Sequence, residues 1–242
     1  MTRRLPLFAL AVATALPATV AAGPRERATV DEAAEVLVDL AGVPENRIPP
    51  KLLQDASAVI VAPDVLKGGF VLGARHGHGV LLVRQKGGWS DPVFVTLTGA
   101  SVGLQAGVSA TDLFLVIRNP RSLDRLLKGS GKLALGGDAT VAAGPVGREA
   151  SGGTDAQLKA EILSYSRSRG LFAGVALDGD TILVDQSANE KFYGERKIKV
   201  ADIVAGALRS TPKEAGALRA RLADWSGDVP PPPPAAVGSP KN

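Results

Sequence analysis

Gly99-Ala100-Ser101-Val102-Gly103 has the G-x-S-x-G spacing that can lift a serine nucleophile onto a sharp strand-to-helix turn. That chemistry needs a helix after the serine, and an acid and a histidine further along the chain. His76 and His78 both precede Ser101, and the residues that follow it read as strand. A glycine-rich bend in a strand is the better reading. His76-Gly77-His78 offers two imidazoles to a transition metal, but a tetrahedral site wants further ligands, and the chain has no cysteine or third histidine. A turn between strands is expected there. Lys128-Gly129-Ser130-Gly131-Lys132 resembles the end of a phosphate loop. Leu126 stands where the first glycine belongs, however, and Leu133 where a magnesium-binding hydroxyl belongs. Asp178, Asp180 and Asp185 lack calcium-loop spacing. The expectation is a protein with no catalytic residue, no metal site and no cofactor.

Cations are the chemistry that remains. Lys67, Arg75, Arg84 and Lys86 fall around two neighbouring strand ends, and Arg167 and Arg169 alternate along one strand and so share a face. Arginine forks bind phosphate groups bidentately. Arg75, Arg84, Arg167 and Arg169 are therefore the expected lipid-binding residues, with solvated surface charge as the competing reading. On either reading Arg167 and Arg169 are exposed and tolerate alanine, while Gly170, Gly174 and Gly179 are structural.

These residues need elements to hold them. Thr29-Val30-Asp31-Glu32 has the pattern of a capping box, followed by Val30, Ala33, Ala34, Leu37, Leu40 and Ala41 at helical spacing. A short helix follows Pro49-Pro50. From Ala58 the pattern turns to strands: 58–62, 70–75, 80–84, 93–97, 102–108 and 113–117, separated by glycine-rich breaks. Pro120 opens a helix that ends at Lys128-Gly129. Strands are expected again at 133–135, 139–143, 162–167 and 171–177, with Asp178-Gly179-Asp180 turning the last into a hairpin with 181–185. Helical patterns return at 200–208 and 212–225. Short strands without regular helices between them predict an α+β fold: a strongly curved, mainly antiparallel β-sheet core with helices at the N- and C-terminal ends. Glycines within the strands supply the curvature.

At 242 residues there is room for one well-buried domain. Arg3-Arg4, the apolar run 5–20 and the small residues before Gly23 read as a signal peptide over 1–22. The expected organisation is then a domain over 23–210, a C-terminal helix over 211–228 and a proline-rich disordered tail over 229–242. The expected location is the periplasm or cell envelope. Residues 1–22 hold two of the 28 basic residues and no acid, so their removal lowers the net charge from +4 to about +2. Nucleic acid is not an expected partner.

Ser164–Gly179, SYSRSRGLFAGVALDG, combines a serine- and arginine-studded strand with a glycine-punctuated apolar one. Further motifs occur in order: Gly68-Gly69-Phe70, Gly77-His78-Gly79-Val80-Leu81, Trp89-Ser90-Asp91-Pro92, Gly103-Leu104-Gln105-Ala106-Gly107 and Ala143-Gly144-Pro145-Val146-Gly147-Arg148. The set ends on Asn189 with Phe192-Tyr193-Gly194. Over roughly residues 30–195 the chain resembles the SYLF domain family. The resemblance implies an exported, non-enzymatic protein that binds anionic phospholipid, phosphatidylinositol lipids among them, or a membrane surface, peripherally attached. The alternative is a structural or protein-interaction module with an envelope protein as partner. Eukaryotic relatives also bind actin, which the export signal disfavours here. Those relatives bind lipid with an amphipathic N-terminal helix. The counterpart at Thr29–Ala41 has an acidic polar face of Asp31, Glu32, Glu35 and Asp39, ill-suited to anionic lipid.

Overall fold

The apolar runs from Ala58 to Arg84 and from Val93 to Ile117, expected as separate short strands, are two continuous ones. In the computed structural model, which describes residues 23–42, 48–146, 157, 159–168 and 171–227, β1 is Ala58–Gln85 and β3 is Val93–Ile117. β2, Gly88–Trp89, turns between them and pairs back onto β1. β1 and β3 run antiparallel from Ala58 opposite Ile117 to Leu81 opposite Val93, with register shifts at Ala62/Val65 and Gly69/Val71. Strands of 28 and 25 residues far exceed the usual length, and a twisted ribbon so long must bend.

It bends back on itself. The Arg84 N–H donates to the Ser57 carbonyl at 2.9 Å, so the two ends of β1 meet. Between them the halves of the strand lie against each other. A Cβ on Gly79 would stand 2.5 Å from the Val61 carbonyl oxygen, and one on Gly77 2.6 Å from Val65 Cγ2. Only a residue without a side chain allows that approach. His76-Gly77-His78 is accordingly part of a strand, and the turn expected there does not exist.

The other strands pair along the free edge of β3 or follow from it. β6 (Ile162–Ser168) pairs with Asp112–Ile117, and β8 (Thr181–Val184) with Val95–Thr98. β4 (Lys132–Ala134) joins β8, and β7 (Leu171–Gly174) joins β6 antiparallel, while β5 (Val141–Ala143) joins β6 parallel. The Asp178-Gly179-Asp180 turn is present, with Gly179 at φ +86°, but it does not close the expected hairpin. β7 and β8 pair with different strands, and Gly174 fits against Gly144, where a Cβ would lie 2.6 Å from the carbonyl oxygen.

Helices cover the two ends of the chain. α1 (Pro24–Gly42) starts earlier than its capping-box pattern indicates, and the Thr29 hydroxyl donates to the Arg25 carbonyl within the helix. α2 is Pro50–Gln54. α3 (Pro120–Lys128) is capped by Asn119, whose side chain accepts from the Arg121 N–H. Asp185 caps α4 (Gln186–Tyr193) by accepting from the Ala188 N–H at 2.9 Å. α5 (Val200–Ala205) and α6 (Lys213–Ser226) follow. Val30, Leu37, Val59, Val61, Phe114, Leu218 and Trp225 belong to a core between the helices and one sheet face. Ile60, Leu81, Leu115, Leu126, Ile182 and Ile203 form a second core on the other face. Val59 and Ile60 alternate between the two, as an apolar run buried on both sides requires. The architecture is α+β, with a strongly curved, mainly antiparallel sheet and helices at both chain ends.

Candidate functional site

The arginines expected to meet a lipid are engaged by three different parts of the fold. Arg75, with only 12% of its side chain exposed, pairs with the fully buried Asp180 beside β8. Burial pushes the Asp180 carboxyl up, and the Arg75 guanidinium opposes that shift. Arg84 lies at the other end of β1, with its guanidinium 4.0 Å from the centre of the Trp89 ring and a hydrogen bond to the Leu53 carbonyl of α2. Arg167 bonds Asp112 of β3, Nε to Oδ2 at 2.7 Å, and reaches Asp39 of α1. It is a latch between helix and sheet and not the exposed residue expected from alternation. Arg169 and Gly170 lie outside the described residues, as do residues 1–22 and 229–242.

The motif residues build the fold. Ser164 is buried and donates to the Val175 carbonyl at 2.6 Å, while Tyr165 fills the core beneath Gly144. Asn189, fully buried, accepts from the Phe94 N–H at 2.9 Å and donates to the Asp185 carbonyl. Phe192 stacks near Phe94, and the Tyr193 hydroxyl donates to the Pro92 carbonyl at 2.6 Å. Trp89 donates to Ser226 at the end of α6, and Asp91 takes Arg219 and Thr211. These residues fasten α4 and α6 to the ribbon. Ser101 is within β3, with strand on both sides. Among the described residues no group of three His, Cys, Asp or Glu could hold a metal ion.

Among the described residues, no other element pairs with the bend of the ribbon. β6 pairs with β3 only as far as Asp112 and β8 only as far as Thr98, so from 99 to 111 β3 has β1 alone as its described partner. Leu66 is 53% exposed and Val108 is 79% exposed. Leu66 opposes Ala110, and Gly68 opposes Val108, so Leu66 and Val108 lie diagonally on one face. From Leu66 to Ala74 and from Ala100 to Thr111 the chain holds one charged residue, Lys67. Sequence reasoning weighed Ser101 and Lys67 in this segment but did not read it as a surface, because Leu66 and Val108 are not chemically reactive types. The signal available was the length of apolar, glycine-rich sequence with so little charge.

Carboxylates border the bend. Asp64, at the first register shift, has φ +47°, and its N–H donates to Asp112 Oδ1 at 3.0 Å. Glu32 of α1 is held above the usual carboxylate range by burial and by Asp64, Glu35, Asp112 and Asp31. An open groove of about 610 Å³ runs between α1 and α6, lined by Asp31, Glu35, Val38, Asp39 and Arg221 among others. It is acidic, unlike the arginine-rimmed apolar cavity that would receive an anionic lipid.

The family model described as Ysc84, Las17-binding protein actin regulator, matches residues 98–225. SH3 domain-containing YSC84-like protein 1 of Xenopus laevis is 37% identical over 166 residues, covering 68% of this chain and 49% of the relative. Its human counterpart is 35% identical over 175 residues, 72% of this chain and 49% of the relative. LAS seventeen-binding protein 3 of Saccharomyces cerevisiae (strain ATCC 204508 / S288c) is 38% identical over 168 residues, 68% of this chain and 36% of the relative. The chain thus spans about half the length, or less, of these relatives. No solved structure matches it. With the family match over more than half its length and the motifs in place on the ribbon, β6 and α4, this chain belongs to the Ysc84 family, the family of the SYLF domain.

Proposed function

We propose that this protein is a non-enzymatic module that binds a membrane surface after export directed by residues 1–22. The observation that carries the reading is the exposed pair Leu66 and Val108 on a ribbon bend that no other described element covers. Exposed apolar side chains in one contiguous patch mark a partner or a membrane interface. Ser101 in mid-strand, with both histidines upstream of it, supports the non-enzymatic part of the reading. The measurement is sedimentation of the full chain with mixed phospholipid vesicles. Co-sedimentation is expected, and its absence would leave no basis for the membrane reading.

A second reading is a protein-binding module of the cell envelope. The family description, which names Las17 binding and actin regulation, favours a protein partner for relatives of this chain. A chain that ignores vesicles but is retained by an envelope protein would support that reading instead.

A further inference from the structure

Gly23 stands where the expected signal peptide ends, and the fold holds it on both sides. Its N–H donates to the Lys191 carbonyl of α4 at 3.2 Å, and its carbonyl accepts from the Arg27 N–H at 3.0 Å. Chain ends fray unless something ties them down. Resting on the export reading, we propose that removal of residues 1–22 creates an α-ammonium at Gly23 that docks on Glu26 and the Lys191 carbonyl, so that processing locks α1 onto α4.

A signal-removing peptidase adds water across the Ala22–Gly23 amide. The C–N bond breaks, the oxygen of the water stays on Ala22 as part of a carboxylate, and both its protons end on the Gly23 nitrogen. One N–H becomes three, with a positive charge.

The receiving carboxylate is already in place. Glu26 lies in the first turn of α1, and its side chain is only 9% exposed. A Cβ on Gly23 would overlap Glu26 Oε2, so that oxygen lies against the Gly23 backbone. Glutamate three residues into a helix can reach back to the N–H of the residue before it. Before cleavage, however, the single Gly23 proton goes to Lys191. The Lys191 ammonium is largely exposed and 4.0 Å from Glu26 Oε1, a loose pair. A carboxylate this buried gains from a closer cation.

The two helix ends pull in opposite directions. The N-terminus of α1 disfavours a cation, whereas the last turn of α4, which holds the Lys191 carbonyl, favours one. These contributions are of similar size, so Glu26 decides the balance. His78 of β1 faces both Arg25 and Glu26; burial, Arg25 and His76 hold its imidazole below the ordinary range, so at neutral pH it does not compete as a cation. Asp185, at the other end of α4, lies 4.0 Å from that imidazole.

Two chains test this without a substitution: residues 23–242, and the same chain keeping Ala21-Ala22, which displaces the amino group. Docking raises the amino pKa above its ordinary value of roughly 7.7–8.0. The stabilisation is therefore fully present below that value and lost as pH rises through the raised one. By denaturant titration at about pH 6, the folding equilibrium constant of the chain starting at Gly23 should be about threefold higher or more, and the difference should vanish near pH 10. Glu26→Gln in both chains should abolish the difference at about pH 6, whereas a merely structural Glu26 would weaken both alike and leave it. Equal stability of the two unsubstituted chains at about pH 6, or a difference that survives Glu26→Gln, would overturn the docking while leaving export in place. N-terminal sequencing of the exported protein should begin at Gly23, and any other start would overturn the inference at its cleavage site. Protein kept inside its native host with residues 1–22 attached would remove the export reading itself.

Discussion

Gly144 and Gly216 show how little residue type alone says about a position. A Cβ on Gly144 would fall 2.0 Å from Tyr165 Cζ, inside a fully buried ring, whereas one on Gly216 would meet nothing within 4 Å. Gly144→Ala should cost at least the upper end of the roughly 1–3 kcal/mol typical of overpacking, because the buried ring it meets cannot move. Gly216→Ala, inside α6, should stabilise by about 0.5–1 kcal/mol. Thermal melts of the two variants read both signs. Arg167→Ala should destabilise by about 2 kcal/mol, less than the 3–5 kcal/mol of a fully buried pair, because Asp39 is half exposed while Asp112 is not. Chemical denaturation gives that value directly, and a loss within about 0.5 kcal/mol would restore Arg167 to the solvated surface. Glu32 carries a pH signature. Its raised pKa means that its ionised form opposes folding, a cost present above that pKa and lost as pH falls through it. Glu32→Gln should therefore gain a few tenths of a kcal/mol near pH 7, with the gain vanishing at about pH 3. Equal effects at the two pH values would show that the neighbouring carboxylates do not act on it. The roles of Arg75 and Arg167 were not legible in the sequence, since their partners Asp180, Asp112 and Asp39 lie 55 or more positions away.

At the scale of the element, most helices were legible, though α4 at Gln186–Tyr193 was not expected, and strand continuity was not. The stretches at 50–54, 120–128 and 213–226 follow their periodicity and stop signals closely, because caps and breakers act over a few residues. Glycine in a strand was ambiguous: Gly77 and Gly79 read as breaks, yet they lie within β1 and permit it to fold against itself. Gly79→Ala tests that directly. The added methyl would meet the backbone at Val61 and Ala62, where no side chain can turn aside, so a loss of about 2 kcal/mol or more is expected by denaturant titration. Gly87→Ala, with nothing within 4 Å, is the matched control and should fall within about 0.5 kcal/mol of wild type. The failed hairpin after Leu171 has a similar cause. An Asp-Gly turn specifies a local reversal, but which strands it joins is set by pairing with β3 and β6, which sequence spacing does not encode.

Across the whole molecule, some of the motif residues tie elements together while others, Gly69 and Gly107 among them, are exposed on the bend. Asn189, Phe192, Tyr193, Trp89 and Asp91 tie helices to a doubled ribbon, and Ser164 ties β6 to the chain after β7. Among the described residues, the end of the ribbon exposes Leu66 and Val108, with Asp64 and Asp112 at its base. The α+β class and the curvature followed from glycine-rich apolar strands with helices at the chain ends; the location of the exposed surface depended on where β6 and β8 stop pairing with β3. Since the chain has no cysteine, single cysteines can report on each surface in turn. Val108→Cys on the bend and Val38→Cys on α1, each carrying an environment-sensitive fluorophore, should be mixed with phosphatidylcholine vesicles. A blue-shifted, brighter emission at position 108 with no change at position 38 is the predicted result. A shift at position 38 with none at position 108 would contradict the account and return membrane contact to the N-terminal helix.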